Sequence, residues 1–192
     1  MATPAFAAGG DLSFSVWRLG SRIGEHNVRF TRDGEELTVE SSADFAIGLG
    51  PIALYRYKYR ATEGWRQNRL ETLSARTDDN GAVAFVDAAL EGDSIMVTGS
   101  KSGRYAAPPG AIAATHWNAA ELSQPMINPQ NGELMRFDCR DLGWERLESG
   151  SPARHFALSG YAVLDLWYDE SDVWRALRAV ARDGSLIDYR PL

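Results

Sequence analysis

The chain has 192 residues, 44% of them apolar and 24% charged, with a formal net charge of -6. That length buries one substantial core without demanding a second domain, and the composition is that of a folded chain rather than a disordered one. A net negative charge with no run of Lys or Arg lacks the cationic footprint that phosphate backbones require, so no nucleic-acid partner is expected; the longest apolar runs fall far short of the roughly 20 residues of a spanning helix, so the chain is not expected to span a membrane.

The first residues, MATPAFAAGG, read as the end of a signal peptide, because Ala5-Phe6-Ala7 matches the small-x-small cleavage pattern. The charged and hydrophobic parts of such a signal are missing. Residues 1–10 therefore read as a flexible remnant carrying a start Met, and 11–192 as a single domain. The implied location is a bacterial periplasm, after export and signal removal; the alternative is a loose Ala/Gly terminus of a cytosolic chain. Cys139 stands alone, so no internal disulfide marks the compartment.

From residue 12 onward the dominant signal is alternation. Leu12, Phe14 and Val16 share one face, and Val28 with Phe30, Leu37 with Val39, and Phe45 with Ile47 repeat the rhythm, with Asp33-Gly34 as a turn. Tyr55, Tyr57 and Tyr59 then alternate with Arg56, Lys58 and Arg60, an aromatic stripe on one side and a cationic stripe on the other. TDDNG at 77–81 places Asn-Gly in a tight hairpin, and Ile95 with Val97 begins another short strand.

The stretch PPGAIAATHWNAAEL (108–122) breaks the rhythm. Asn118 is a good helix N-cap, Glu121 falls where it completes a capping box, and Trp117 is placed to pack on Leu122 as a hydrophobic staple. This predicts a short helix over about 119–123, stopped by Pro125. Capping gives His116 no task, which leaves it a candidate site residue or a satisfied structural histidine.

Strand signals resume at Phe137 and Cys139, Phe156 and Leu158, then 163–168 and 186–189. On 163–168 either face can be the core. Asp165 beside Trp167 is a buried carboxylate needing a partner such as Arg, or it lies on a solvated face while Leu164, Leu166 and Tyr168 are buried. The segment SDVWRALRAVARDG (171–184) fits helical spacing through Val173, Trp174, Leu177 and Val180. It also echoes the hairpin sequence GWRQNRLETLSARTDDNG (64–81), and on that ground it is read as a hairpin.

Familiar chemistry is not announced. His26, His116 and His155 are far apart with no paired Cys, so no metal site is expected, and no cofactor is implied; the nucleophile elbow, phosphate loop and dinucleotide fingerprint are all missing. Six Trp, seven Tyr and seven Phe on a curved sheet exceed what a thin core needs, which leaves aromatic surface either as packing or as the lining of a concave pocket.

GEHNVRF with its following DG turn, YRYKYRATEGWRQNRLETLSARTDDNG, the THWN loop, LDLWYD and the closing DGSLIDYRPL together resemble a family of uncharacterised proteobacterial exported proteins. The resemblance spans nearly the whole chain and implies kinship with periplasmic curved-sheet folds, the half-barrel of lipoprotein carriers and the spiral sheets of envelope-integrity proteins. It carries no catalytic residues.

The expectation is an all-β domain, a strongly curved antiparallel sheet or incomplete β-barrel, closed by one short helix near residue 120. The first functional reading is a periplasmic binding or carrier protein for a hydrophobic or amphipathic small molecule or lipid of the envelope. Tyr55, Tyr57, Tyr59, Trp117, Asn118, Asp165 and Trp167 are its candidate ligand-binding residues, with His116 at the rim. The alternatives are an enzyme of unfamiliar type using His116 with Asp165 or another carboxylate, within about one hydrogen bond or one bridging water, or a structural protein that binds an envelope partner.

Overall fold

Period-two patterning leaves one apolar face on nearly every segment, and such a face is buried only when the strands pair and curl over what they cover. The computed structural model describes residues 10–49, 52–181 and 183–192. Along the chain these form β1 (Leu12–Arg18), β2 (Ser21–Asp33), β3 (Glu36–Leu49), β4 (Ile52–Arg66), β5 (Arg69–Asp79), β6 (Ala82–Glu91), β7 (Ser94–Gly99) and β8 (Gly103–Ala106). After β9 (Ile112–Ala113) come a 3-10 turn (Ala119–Leu122), β10 (Met126–Ile127) and β11 (Leu134–Met135). The chain ends with β12 (Phe137–Arg146), β13 (Pro152–Gly160), β14 (Leu164–Tyr168), β15 (Trp174–Val180) and β16 (Leu186–Pro191).

Thirteen of these strands make one antiparallel sheet in the order β12-β13-β14-β15-β16-β1-β2-β3-β4-β5-β6-β7-β8. It consists of two meanders fused at the chain's ends: Phe14 of β1 lies opposite His26 of β2 on one side and Pro191 of β16 on the other. The sheet does not close, and β12 and β8 are its two edges. The fold is the expected open, barrel-like, all-β one.

Bulges in several pairings sharpen the coiling of the long strands. Strands β2 and β3 approach so closely that a Cβ on Gly24 would stand 1.9 Å from the Asp44 carbonyl oxygen, so only glycine fits there.

Residues 107–135 connect the two edges by crossing the concave face. Their short strands form a second sheet in the order β11-β10-β9, with β9 and β10 parallel. Where the crossing docks on β7, Gly99 meets Gly132 so tightly that a Cβ on Gly99 would lie 2.7 Å from the Gly132 Cα. The short helix expected over 119–123 is the 3-10 turn of this segment. Asn118 caps it, its side-chain oxygen accepting from the Ala120 N–H at 3.1 Å.

The helical spacing over 171–184 belongs to a strand, and a bulge explains it. Tyr168 pairs with Trp174 and Trp167 with Ala176, so Arg175 is an extra residue that brings Trp174 and Leu177 to one face three positions apart. Among the described residues, no helix is long and apolar enough to cross a membrane.

The crossing segment divides the interior into two clusters. One packs large side chains, among them Phe14, Leu70, Trp65, Trp117, Leu166, Tyr168 and Trp174. The other is walled by alanines: Ala43, Ala61, Ala75 and Ala88 from the sheet face Ala107, Ala111 and Ala113 of the crossing, around Tyr59. Leu73, Val86, Ile95, Val97 and Ile127 fill the rest of this cluster, and Phe45, Tyr57, Leu90 and Tyr105 pack against it.

Candidate functional site

Antiparallel register arranges inward side chains in rows across the strands. One row runs Phe14, His26, Ala43, Tyr59, Thr77; a second runs Leu12, Val28, Ser41, Ala61, Ala75; a third runs Val16, Gly24, Phe45, Tyr57, Asp79. The first row and Ser41 carry buried polar atoms that meet no hydrogen-bond partner among the described residues: both ring nitrogens of His26 and the hydroxyls of Tyr59, Ser41 and Thr77. The Thr77 hydroxyl lies toward the Tyr57 phenol without reaching hydrogen-bond geometry.

The His26 ring is 6% exposed and flanked by Trp174 at 5.4 Å, Tyr189 at 5.5 Å and Tyr59 at 6.5 Å between centroids. Burial first, and the nearby His116 second, lower its pKa to about 3, so the ring is neutral and offers one donor and one acceptor. Burial, reinforced by Glu63, raises the Tyr59 phenol well above its ordinary range. Each unpaired buried group costs about 1–3 kcal/mol of desolvation, which is why such groups are rare in finished interiors.

Exposure rises along β3 and β4 away from this row. Tyr57 and Phe45 are half-buried and stacked, 5.3 Å apart at 13°, with Tyr189 edge-on to Phe45 at 6.1 Å. Beyond them the Tyr55 hydroxyl donates to Asp79 Oδ1 at 2.7 Å. The three tyrosines therefore share the concave face, as their alternation implies, while Arg56, Lys58 and Arg60 are exposed. Arg60 ties back to Asp44 on that outer surface.

Farther along β4 the polar groups are fully paired. The Glu63 carboxylate is 0% exposed and accepts three hydrogen bonds, from the Trp65 indole (3.0 Å), the Thr115 hydroxyl (2.7 Å) and the Trp117 indole (3.0 Å). Burial nevertheless dominates those hydrogen bonds and pushes its pKa up to about 7. Glu121 is equally buried. It accepts from the backbone N–H of His116 (3.2 Å) and the Tyr168 hydroxyl (3.0 Å), and its Oε1 lies 2.9 Å from His116 Nδ1. Tyr168 also reaches the His116 carbonyl at 2.9 Å.

These contacts correct one local expectation and add to another. Glu121 does not return to the Asn118 N–H in a capping box, because it is drawn two residues further back, to a His116 backbone held at φ +68°. Trp117 packs edge-on against Phe30 and Trp65 while its N–H serves Glu63, so its position is set by the sheet as well as by the turn.

Asp165 and Trp167 lie on the other side of the sheet. Leu166 and Tyr168 belong to the core, and Asp165 points outward to His155 Nε2 at 2.8 Å. Leu164, Leu166 and Tyr168 thus face the core as the second alternative has it, while Asp165 is half-buried on the opposite face, against His155 and across from Arg178. Trp167 is stacked under His155 at 4.3 Å, donates to Glu145, and borders a surface cleft of about 450 Å³ together with Leu147, Arg178 and Arg190. A second cleft of about 600 Å³ runs between the crossing segment and β12, past Leu122, Met135, Phe137 and Cys139, with Glu121 in its wall. The Cys139 thiol is raised by partial burial and then by Asp141 and Glu121, which disfavours the thiolate. Among the described residues no group of three or more His, Cys, Asp or Glu side chains is placed to hold a metal ion.

Thus Tyr55, Tyr57 and Tyr59 come together on the concave face, His116, Trp117 and Asn118 sit on the segment that crosses it, and Asp165 and Trp167 are separate. The reading from residues missed His26, Ser41, Glu63 and Tyr189. Extending the alternation of the tyrosine stripe past Ala61 reaches Glu63 and Trp65, and stepping back from Phe30 and Val28 reaches His26. The signal was present for Glu63 and His26.

No curated protein matches this chain. Among solved structures, the crystal structure of a β-barrel-like protein of domain of unknown function DUF1849 from Brucella abortus is similar, with a TM-score of 0.63 at 10% identity over 95% of this chain and 94% of that one. At such identity the likeness is one of fold, and it agrees with the open, strongly curved sheet. A family model described as "Domain of unknown function (DUF6134)" matches residues 14–192, and the chain belongs to that family.

Proposed function

We propose that this protein is a periplasmic binding or carrier protein that takes one end of a hydrophobic or amphipathic envelope molecule against its concave face. The observation that carries this reading is the row of buried polar atoms without hydrogen-bond partners among the described residues, His26, Tyr59 and Thr77 with Ser41 beside them, reached past the half-buried aromatic collar of Phe45, Tyr57 and Tyr189. A fold gains nothing by desolvating such groups, whereas a ligand that pairs with them recovers the cost on binding. Export fits the small-x-small pattern at residues 5–7, which lie outside the described residues.

The test is native mass spectrometry and solvent extraction of the purified protein, followed by screening against an envelope extract. The expected result is one co-purifying or captured apolar species per chain, lost in a His26→Leu, Tyr59→Phe double variant. A protein that carries nothing and gains no thermal stability from any fraction defeats the reading.

A second reading has one observation of its own. His116 Nδ1 is held by buried Glu121 at 2.9 Å, the arrangement by which a carboxylate orients a general base, on a backbone in the left-handed region. The expected partner Asp165 is taken by His155 instead. An enzyme built this way loses hydrolytic turnover of an envelope ester in a His116→Gln variant that still folds; unchanged turnover removes it.

A further inference from the structure

We infer, resting on the reading that the concave face takes a ligand, that the ligand's buried end is an uncharged head bearing hydroxyl or carbonyl groups on an apolar body, as in a monoacylglycerol or an alkyl glycoside. Fatty acids and phospholipids are the wrong charge for this site.

The unpaired atoms set the head's chemistry. Neutral His26 offers one donor and one acceptor, and the Tyr59, Ser41 and Thr77 hydroxyls each serve either way, so they pair with a group that both gives and takes hydrogen bonds. A carboxylate or phosphate only accepts. It also needs a counter-charge once it leaves water, and the three inward rows hold no Lys or Arg. The acidic side chains in and beside these rows are Asp79, opposite Tyr57, and Glu63, whose negative field reaches Tyr59 above about pH 7; both repel an anion. His116, on the crossing segment, is engaged by Glu121. From that same segment the site meets Ala107, Ala111, Ala113 and Ile127, none of which carries charge. The cations of β4 are on the opposite surface.

Depth agrees with this assignment. The collar of Phe45, Tyr57 and Tyr189 lies on the half-exposed side of the row, so an apolar body bound there leaves its polar end toward His26 and Tyr59. From Tyr55 to Tyr59 is about 13 Å at the rise of an extended strand, enough to cover the head-proximal part of an acyl chain.

The experiment titrates the purified full chain at pH 8 with three amphiphiles of one acyl length, 1-monooleoylglycerol, oleate and oleoyl lysophosphatidylglycerol, below their aggregation thresholds, followed by calorimetry. Monooleoylglycerol is expected to saturate one site, with the two anions at least about tenfold weaker. Tyr59→Phe and Ser41→Ala, which remove one hydroxyl each, are expected to weaken monooleoylglycerol by about tenfold apiece without altering circular dichroism. Anions that bind as tightly as the neutral lipid, with the same sensitivity to Tyr59→Phe, overturn the uncharged head while leaving the ligand reading intact. Neutral-lipid binding indifferent to both variants overturns the placement. Failure of all three amphiphiles, with no co-purified species, removes the ligand reading and this inference with it.

Discussion

Glu63 and Tyr59 stand four residues apart on the same inward face of β4, yet their polar atoms are treated in opposite ways. Glu63 is buried with both oxygens engaged, by two indole N–H groups and a threonine hydroxyl, and two of those donors come from the crossing segment. Tyr59 is buried with its hydroxyl unused, beside a histidine and a serine in the same condition. The first arrangement is a clamp: it fixes where residues 115–117 cross the sheet. The second does nothing for the folded chain by itself. The difference separates a structural polar network from a candidate binding surface within one continuous sheet.

Breaking the clamp should have the largest effect. Glu63→Leu strands two indole N–H groups and a hydroxyl in a dry interior, and the expected loss is about 3–5 kcal/mol, read by urea denaturation. Glu63→Gln keeps the shape and an acceptor oxygen and is expected to cost only about 1–2 kcal/mol. If Glu63→Leu is as stable as wild type, the clamp does not hold the crossing segment.

Next in size is the other end of the same segment. Tyr168→Phe removes the hydroxyl shared by the His116 carbonyl and Glu121, with an expected loss of about 1–3 kcal/mol because both acceptors lose a donor in a buried place. Amide exchange should quicken selectively over 115–122; uniform acceleration across the sheet counts against a local role.

The orphan row should respond in the reverse sense. His26→Leu and Tyr59→Phe remove buried polar atoms that nothing pairs, so at pH 7 the ligand-free fold is expected to gain about 1–3 kcal/mol from either change. A loss above about 2 kcal/mol from either variant in denaturant melts shows that these groups support the fold, and the comparison with Glu63 collapses.

Much of this contrast was legible before the fold. Strict alternation carried the strands, because a sheet wet on one side must separate polar from apolar every second residue, and the tyrosine stripe was correctly placed opposite its cations. What stayed illegible depended on long-range pairing. Nothing near Glu63 in the chain announces that Thr115 and Trp117, more than fifty residues away, come to it as donors. The Glu121 capping box was a sound local inference that lost to a stronger partner set, an N–H, an imidazole and a phenol. The Trp174 to Leu177 spacing mimicked a helix because a single extra residue in a strand shifts its period.

Acidity offers the finest test of the two groups, since their shifts oppose each other. Glu63 keeps its proton to about 7 in the fold but gives it up near 4.5 when unfolded, so it makes stability fall as pH rises between those values and has no further effect above 7. His26 stays neutral down to about 3 in the fold but takes a proton near 6.5 when unfolded, so it makes stability rise with pH from 3 to 6.5. Between about 4.5 and 6.5 the slopes cancel, and the wild-type chain is expected to show a nearly level stability there. The carboxylates whose pKa is lowered by surface contacts, Asp87, Asp141, Asp169 and Asp183, act only below that window. Each variant should unmask the partner's slope. His26→Leu should lose about 1.4 kcal/mol per pH unit on going up through the window, and Glu63→Gln should gain about as much. Denaturation at pH 4.5, 5.5 and 6.5 decides it: a wild-type plateau that survives both substitutions means that neither buried group titrates as its surroundings require, and the distinction between the clamp and the orphan row loses its electrostatic basis.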